Sequence, residues 1–189
     1  MLSLSNAIRL MILGALLAVA LVAVKACQPP PSGLERFSVD SLKRLTSLES
    51  PPVQPTFAFN TPDGEVRLED FRGQVVLVNA WATWCPPCVA EMPSLDRLQQ
   101  LRGGEDFAVV PISLDRRMED ITQWYGRNDI EALPVIHDGT FGINARLELP
   151  GLPTTILYNR QGREVARLPG EAEWDSPEAL ALIDYLVAQ

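Results

Sequence analysis

Two cysteines three residues apart, Cys85 and Cys88, stand in the stretch Trp81-Ala82-Thr83-Trp84-Cys85-Pro86-Pro87-Cys88-Val89-Ala90-Glu91-Met92-Pro93. A β-branched apolar run ends just before them and a helical pattern begins just after. Two sulfurs on a first helical turn can close a small disulfide ring and open it again. Their positions are unequal. Cys85 falls near the N-cap and is expected to be exposed, above the positive end of the helix dipole, which lowers a thiol pKa and favours the attacking thiolate. Cys88 lies one turn in, more buried, and is the natural resolving thiol. Pro86 takes the first helical position, where a missing N–H costs nothing. Pro87 removes the donor at the second position, a usual partner for an N-cap acceptor. Fewer donors leave the thiolate less stabilised, so the pair is expected to prefer the disulfide and to reduce its targets. A potential close to that of strong oxidants, about −120 mV, would contradict this.

Other uses of the pair fit less well. Zinc needs two further Cys or His ligands, and only Cys27 and His137 remain. A purely structural disulfide across so short a loop constrains little of the unfolded chain. With one His in 189 residues, a His-rich metal site or a Ser-His-Asp triad is not expected. Residues 51–189 hold eleven Arg and no Lys against twenty-one Asp and Glu. Such an acidic body argues against nucleic-acid binding, which depends on neutralising phosphates. No cofactor and no metal are called for.

The elements that position the pair are legible from apolar periodicity. Gln74–Ala80 is a continuous β-branched run, as in a strand buried on both faces. Met92, Leu95, Leu98 and Leu101 mark the following helix, closed by Gly103-Gly104. Phe107–Leu114 reads as a second strand, Met118 to Tyr125 as a second helix ending near Gly126, and Leu133–His137 as a short third strand. Thr154–Tyr158 and Glu164–Leu168 flank Asn159-Arg160-Gln161-Gly162, a hairpin turn. Ser176-Pro177-Glu178 supplies an N-cap, a proline at the first helical position and an acidic first turn. Leu180, Ile183, Leu186 and Val187 give that last helix its buried stripe. The pattern predicts a mixed α/β sheet covered on both sides.

The Trp-Cys-x-x-Cys after a strand, with Pro93 five residues past the second Cys, resembles the thioredoxin superfamily. Phe57–Asn60 with Asp63-Gly64, then Leu68–Gly73, and Glu91 three past Cys88, resemble its TlpA/ResA-like branch, as does the extra helix–strand–helix material between Asp115 and Pro150. The resemblance covers about residues 53–189. It implies a thioredoxin fold: a central mixed sheet flanked by helices, with an N-terminal hairpin and an inserted helix–strand–helix segment. Gly151-Leu152-Pro153-Thr154-Thr155 resembles the family's cis-proline loop. A cis Pro153 would set the Leu152 backbone beside Cys85, where a substrate strand could bond in the mixed disulfide, with Trp84 flanking the sulfurs. One departure stands out. Cytosolic thioredoxins carry a buried Asp where this chain has Asn79, which takes no proton at neutral pH. Glu91, one turn beyond Cys88 on the same helix face, is expected to shuttle the resolving thiol's proton instead. His137, Trp124 and Trp174 read as structural.

The resemblance implies a thiol:disulfide oxidoreductase acting on protein disulfides, recharged by a membrane thiol–disulfide electron donor. Several relatives serve cytochrome c maturation, so apocytochrome c is an implied substrate. Two rivals of related fold are a copper-binding chaperone, which would want CxxxC and a distant His, and a peroxiredoxin-like peroxidase, which would want Thr where this chain has Ala82.

Residues 1–27 read as a signal peptide or membrane anchor. Arg9 precedes the uncharged run Leu10–Val24, which fits a secretory core and is short for a bilayer span of about 20 residues. Cleavage after Ala26, lipidation at Cys27 (against which Lys25 weighs) and retention as an anchor all remain open, with membrane attachment favoured over release. Residues 28–52, bracketed by Pro29-Pro30-Pro31 and Pro51-Pro52, read as a linker with a brief helix that holds the domain, 53–189, off a bacterial inner membrane. That domain would face the periplasm or the outer cell surface.

Overall fold

Seven consecutive residues, Val75–Trp81, are all buried and form β4, the central strand of the sheet. Apolar side chains on both faces let helices and loops cover it from either side. The computed structural model describes residues 11, 33–48 and 50–189. The chain divides into two units, Met1–Gly33 and Leu34–Gln189. The expected export run Leu10–Val24, apart from Met11, and the junction around Cys27 lie outside the described residues. Among those described, no helix is long and apolar enough to cross a membrane.

In the second unit β4 runs parallel to β5 (Phe107–Ser113) and antiparallel to β7 (Thr154–Tyr158). Parallel neighbours need a long crossover, and α1 (Pro86–Arg102) supplies it. A second crossover, through α2 (Met118–Arg127), brings β6 (Ile136–His137) parallel to β5. The hairpin β2 (Ala58–Thr61) and β3 (Gly64–Arg67) joins β6 through Asn60 and His137. Across the sheet β8 (Glu164–Pro169) pairs with β7, and β1 (Thr46–Ser47) with β8, giving the order β1-β8-β7-β4-β5-β6-β2-β3. The turn between β7 and β8 closes with Gly162 at φ 69, a left-handed conformation that glycine adopts without strain. A short α3 (Gly142–Arg146) and α4 (Pro177–Val187) complete the elements, and Ser176 Oγ caps α4 by accepting from Ala179 N at 3.3 Å. The expected mixed sheet with an N-terminal hairpin and inserted helix–strand–helix is therefore present.

The period of two along β4 sorts the core. Val75, Leu77 and Trp81 join the layer formed by Met92, Leu95 and Leu98 of α1, Ile121 of α2 and Leu182 of α4. Val76, Val78 and Ala80 join the opposite layer with Val110, Ile112, Ile143 and Ile156. Asn79 shares parity with Leu77 and Trp81, so a polar side chain is placed on the face that α1 covers.

Two expectations need correction. The third strand is shorter than Leu133–His137. The Asp96 carboxylate of α1 takes the N–H groups of Glu131, Ala132 and Leu133 at 3.1, 2.8 and 3.2 Å, which holds that stretch as a loop. The proposed spacer is also folded from Leu34 onward. Leu42 and Leu45 are buried in the core, and the Phe37 ring lies 5.5 Å from that of Tyr185 on α4. Thr46 and Ser47 pair with Arg167 and Ala166 of β8. Burying these apolar side chains favours packing over a free tether.

Candidate active site

Strand β4 delivers the chain to a pinned loop. The Asp115 carboxylate, just beyond β5, accepts Thr83 N at 3.0 Å, Thr83 Oγ1 at 2.6 Å and Ser113 Oγ at 2.6 Å. Leu114 N donates to Trp81 O at 2.9 Å, and Cys85 N to Ala82 O at 3.2 Å. These bonds fix where the loop ends and α1 starts. Cys85 occupies the N-cap position. Pro86 and Pro87 follow, so Cys88 N is the first N–H of the helix, and it donates to Cys85 Sγ at 3.3 Å.

Cys85 and Cys88 form a disulfide with sulfurs 2.05 Å apart. Cys85 retains 5 % of its surface and Cys88 none. Cys85 is the more exposed of the two, as expected, but it is far less exposed than expected. Both residues belong to the same core layer as Trp81 and Ala82. Beside them Trp84 projects into solvent at 62 % exposure, next to a recess of about 480 Å³ lined by Thr83, Asp115, Arg116, Asp120 and Phe141.

The Leu152–Pro153 peptide bond is cis. Thr154 pairs with Ala80 of β4, so Pro153 sits at the sheet end where the Ala82–Cys85 loop leaves. Gly170 N donates to Pro153 O at 2.7 Å and Thr154 Oγ1 to Gly151 O at 2.7 Å, which secures the loop. Leu152 is half-buried against both core layers.

Glu91 is 3 % exposed, more deeply buried than its position on the helix suggests. Oε1 accepts Asn79 Nδ2 at 2.7 Å; Oε2 accepts Ala172 N at 3.1 Å and Trp174 Nε1 at 3.2 Å. Its pKa is pushed up to about 7. Burial raises it, the donors Asn79, Ala172 and Trp174 oppose that, and the charge of Glu171 adds to it. A carboxyl that exchanges its proton near neutral pH suits general acid–base work. Glu91 shares a face of α1 with Cys88, one turn away.

Three residues of this site carry no signal in the sequence. Trp174, expected only to pack, donates to Glu91 from 83 residues further along the chain. Thr155 accepts from Asn79, and Asp115 pins the loop. Their contacts depend on sheet register and on the Gly170–Ser176 stretch, and no local spacing announces either. His137 is structural as expected: Nε2 lies 2.8 Å from Asp115 O. Among the described residues no cluster of three or more His, Cys, Asp or Glu is arranged to hold a metal.

Residues 49–183 match the Redoxin family. The chain is 32 % identical over 124 residues to the thioredoxin-like protein YneN of Bacillus subtilis, covering 64 % of this chain and 71 % of that one. It is 33 % identical over 97 residues to the thiol-disulfide oxidoreductase ResA of Oceanobacillus iheyensis, covering 51 % of this chain and 50 % of the other. A crystal structure from Chlorobium tepidum, described as a thiol:disulfide interchange protein DsbE, superposes with a TM-score of 0.67 at 27 % identity. It covers 75 % of this chain and 99 % of its own. With the cysteine pair capping α1 after a buried strand, these likenesses place the chain in the Redoxin family, as a TlpA/ResA-like thiol-disulfide oxidoreductase of the thioredoxin superfamily.

Proposed function

We propose that this protein is an extracytoplasmic reductase of protein disulfides. The observation that carries this reading is the Cys85–Cys88 disulfide at the start of α1, with a buried carboxyl of near-neutral pKa one turn behind it. In the reduced form the Cys85 thiolate attacks one sulfur of a substrate disulfide. A mixed disulfide forms and the other substrate sulfur leaves as a thiolate, which takes up a proton. Cys88 then passes its proton to Glu91 and attacks Cys85 Sγ. The Cys85–Cys88 bond closes, and the second substrate sulfur departs as a thiolate that takes the proton from Glu91. The substrate gains two electrons from the cysteine pair and two protons, one through Glu91 and one from the solvent that received the Cys85 proton.

Pro86 and Pro87 support the direction. They leave Cys88 N as the one first-turn donor reaching Cys85 Sγ, so the thiolate gains little from the helix start and the disulfide is favoured. Trp84 and the Leu152–Pro153 backbone flank the sulfurs as the surface for a substrate strand. Export rests on the run Leu10–Val24 after Arg9. Resemblance to the TlpA/ResA-like branch adds a membrane thiol–disulfide electron donor and apocytochrome c as a substrate.

The test is trapping. The full-length Cys88→Ala variant cannot resolve its mixed disulfide, so it should retain partners releasable by dithiothreitol, whereas Cys85→Ala should retain none. Capture of apocytochrome c by Cys88→Ala would support the cytochrome reading. Capture of other exported proteins alone would exclude it, and equal capture by both variants would contradict the assigned roles.

A further inference from the structure

If Glu91 is to accept a proton from Cys88, it must be well bonded both with and without that proton, yet its three partners all donate. Oε2 takes Ala172 N and Trp174 Nε1, and neither a backbone amide nor an indole can accept. A proton on Oε2 would have nothing to bond. Oε1 faces Asn79 Nδ2, again a donor. However, Asn79 is fully buried, and among the described residues its Oδ1 has no hydrogen-bond partner. The acceptor that a protonated Glu91 needs is thus already on its neighbour, turned away.

We propose that Asn79 is a positioning residue that serves Glu91 in both protonation states by reversing its side-chain amide. Nδ2 faces the carboxylate and Oδ1 faces the carboxylic acid. This rests on the reading of Glu91 as the group that takes the Cys88 proton. The reversal is a half-turn about the Cβ–Cγ bond and exchanges two atoms of similar size, so it fits a packed interior. Thr155 permits it. It stands opposite Asn79 in the β4–β7 register, and its hydroxyl accepts from Nδ2 at 3.0 Å. A hydroxyl both accepts and donates, so it can turn and donate to Oδ1 afterwards.

The cost falls on the NH₂ group, which moves into the unpartnered position of Oδ1. An unmatched buried donor resists proton uptake, while burial of Glu91 favours it. That opposition holds both forms within reach of each other. Other groups act at longer range. Glu171 and Glu173, before α4, line a cavity of about 400 Å³ with Asp40, Lys43 and Arg44 of the N-terminal segment and Glu91 itself. Among the described residues none of these five side chains hydrogen-bonds Glu91. On α1 the Cys85–Cys88 pair lies one turn before it. An aspartate at position 79 would instead set a second carboxyl against the first, so that the two share one proton.

The experiment is NMR on the oxidised full-length protein in detergent. It follows the Glu91 carboxyl carbon and the Asn79 side-chain amide on both sides of the Glu91 midpoint. Contacts from the Asn79 amide protons to the Thr155 side chain should be present above the midpoint and lost below it, in step with the carboxyl shift. In Thr155→Val the ionised state loses an acceptor for an N–H, while the neutral state loses only one partner of a carbonyl oxygen. The midpoint should therefore rise by about one pH unit. If Glu91 titrates while the Asn79–Thr155 contacts persist at both extremes, the reversal is wrong and the role of Glu91 stands. If the Glu91 carboxyl does not titrate, both fail.

Discussion

Trp174 Nε1 donates to Glu91 Oε2 at 3.2 Å, joining the stretch before α4 to the helix that carries both cysteines. An N–H aimed at a carboxylate stabilises its ionised form and holds the pKa down. Trp174→Phe keeps an aromatic ring and removes the donor. The Glu91 midpoint should then rise from about 7, by about one unit. The rate of mixed-disulfide resolution, measured against pH in single-turnover experiments, should shift upward with it. An unchanged profile would mean that this bond does not tune the carboxyl.

Burial of Glu91 also makes stability depend on pH. Its value in the fold, about 7, lies above the ordinary 4.5. Between those values the folded protein holds a proton that the unfolded chain releases, so stability falls as pH rises through that window. Above it the full cost of about 3 kcal/mol is present. Urea unfolding of the oxidised protein at several pH values should show this decline, and Glu91→Gln should flatten it. A variant with the same slope as the parent would place the responsible group elsewhere.

Asp115 is predicted to hold the active-site loop. Its carboxylate accepts three hydrogen bonds, two of them from Thr83. Asp115→Ala strands these donors and should destabilise the protein by about 2–4 kcal/mol. Asp115→Asn, which keeps one acceptor oxygen, should lose less. Equilibrium unfolding distinguishes the two, and equal, small losses would contradict the clamp.

The N-terminal segment is predicted to contribute to folding. Leu42 is fully buried, and Leu42→Ala should cost about 2–5 kcal/mol, as large-to-small core changes do. A chain beginning at Leu34 should unfold at a higher denaturant concentration than one beginning at Val53. Identical midpoints would return residues 34–48 to the status of a spacer.

The sequence reveals those parts of the molecule that local chemistry dictates. The β-branched run through Val75–Val78 reads as a strand covered on both faces, and Ser176-Pro177-Glu178 announces a capped helix. The glycine-closed turn after β7 and the proline before it are equally local signals. What stayed hidden depends on distant partners. β1 is two residues long and exists because β8 offers it an edge. The apolar spacing in the Leu34–Leu48 segment suggests only a brief helix in a spacer, and it is the pairing with β8 and the packing against α4 that make it part of the fold. The site divides the same way. Cys85, Cys88 and Glu91 share one helical turn pattern and were legible together. Asn79 stood out only against the resemblance, and Thr155, Trp174 and Asp115 meet the site through register and loop closure.

If the proposed function holds, Cys85 and Cys88 form a reversible two-electron couple poised to reduce. The direct measurement is an equilibrium titration of the pair in dithiothreitol or glutathione redox buffers, with the thiols counted by alkylation. One reversible transition is expected, nearer the value of thioredoxin, about −270 mV, than that of a strong oxidant, about −120 mV. A pair that does not cycle, or that equilibrates near the oxidising value, would contradict it.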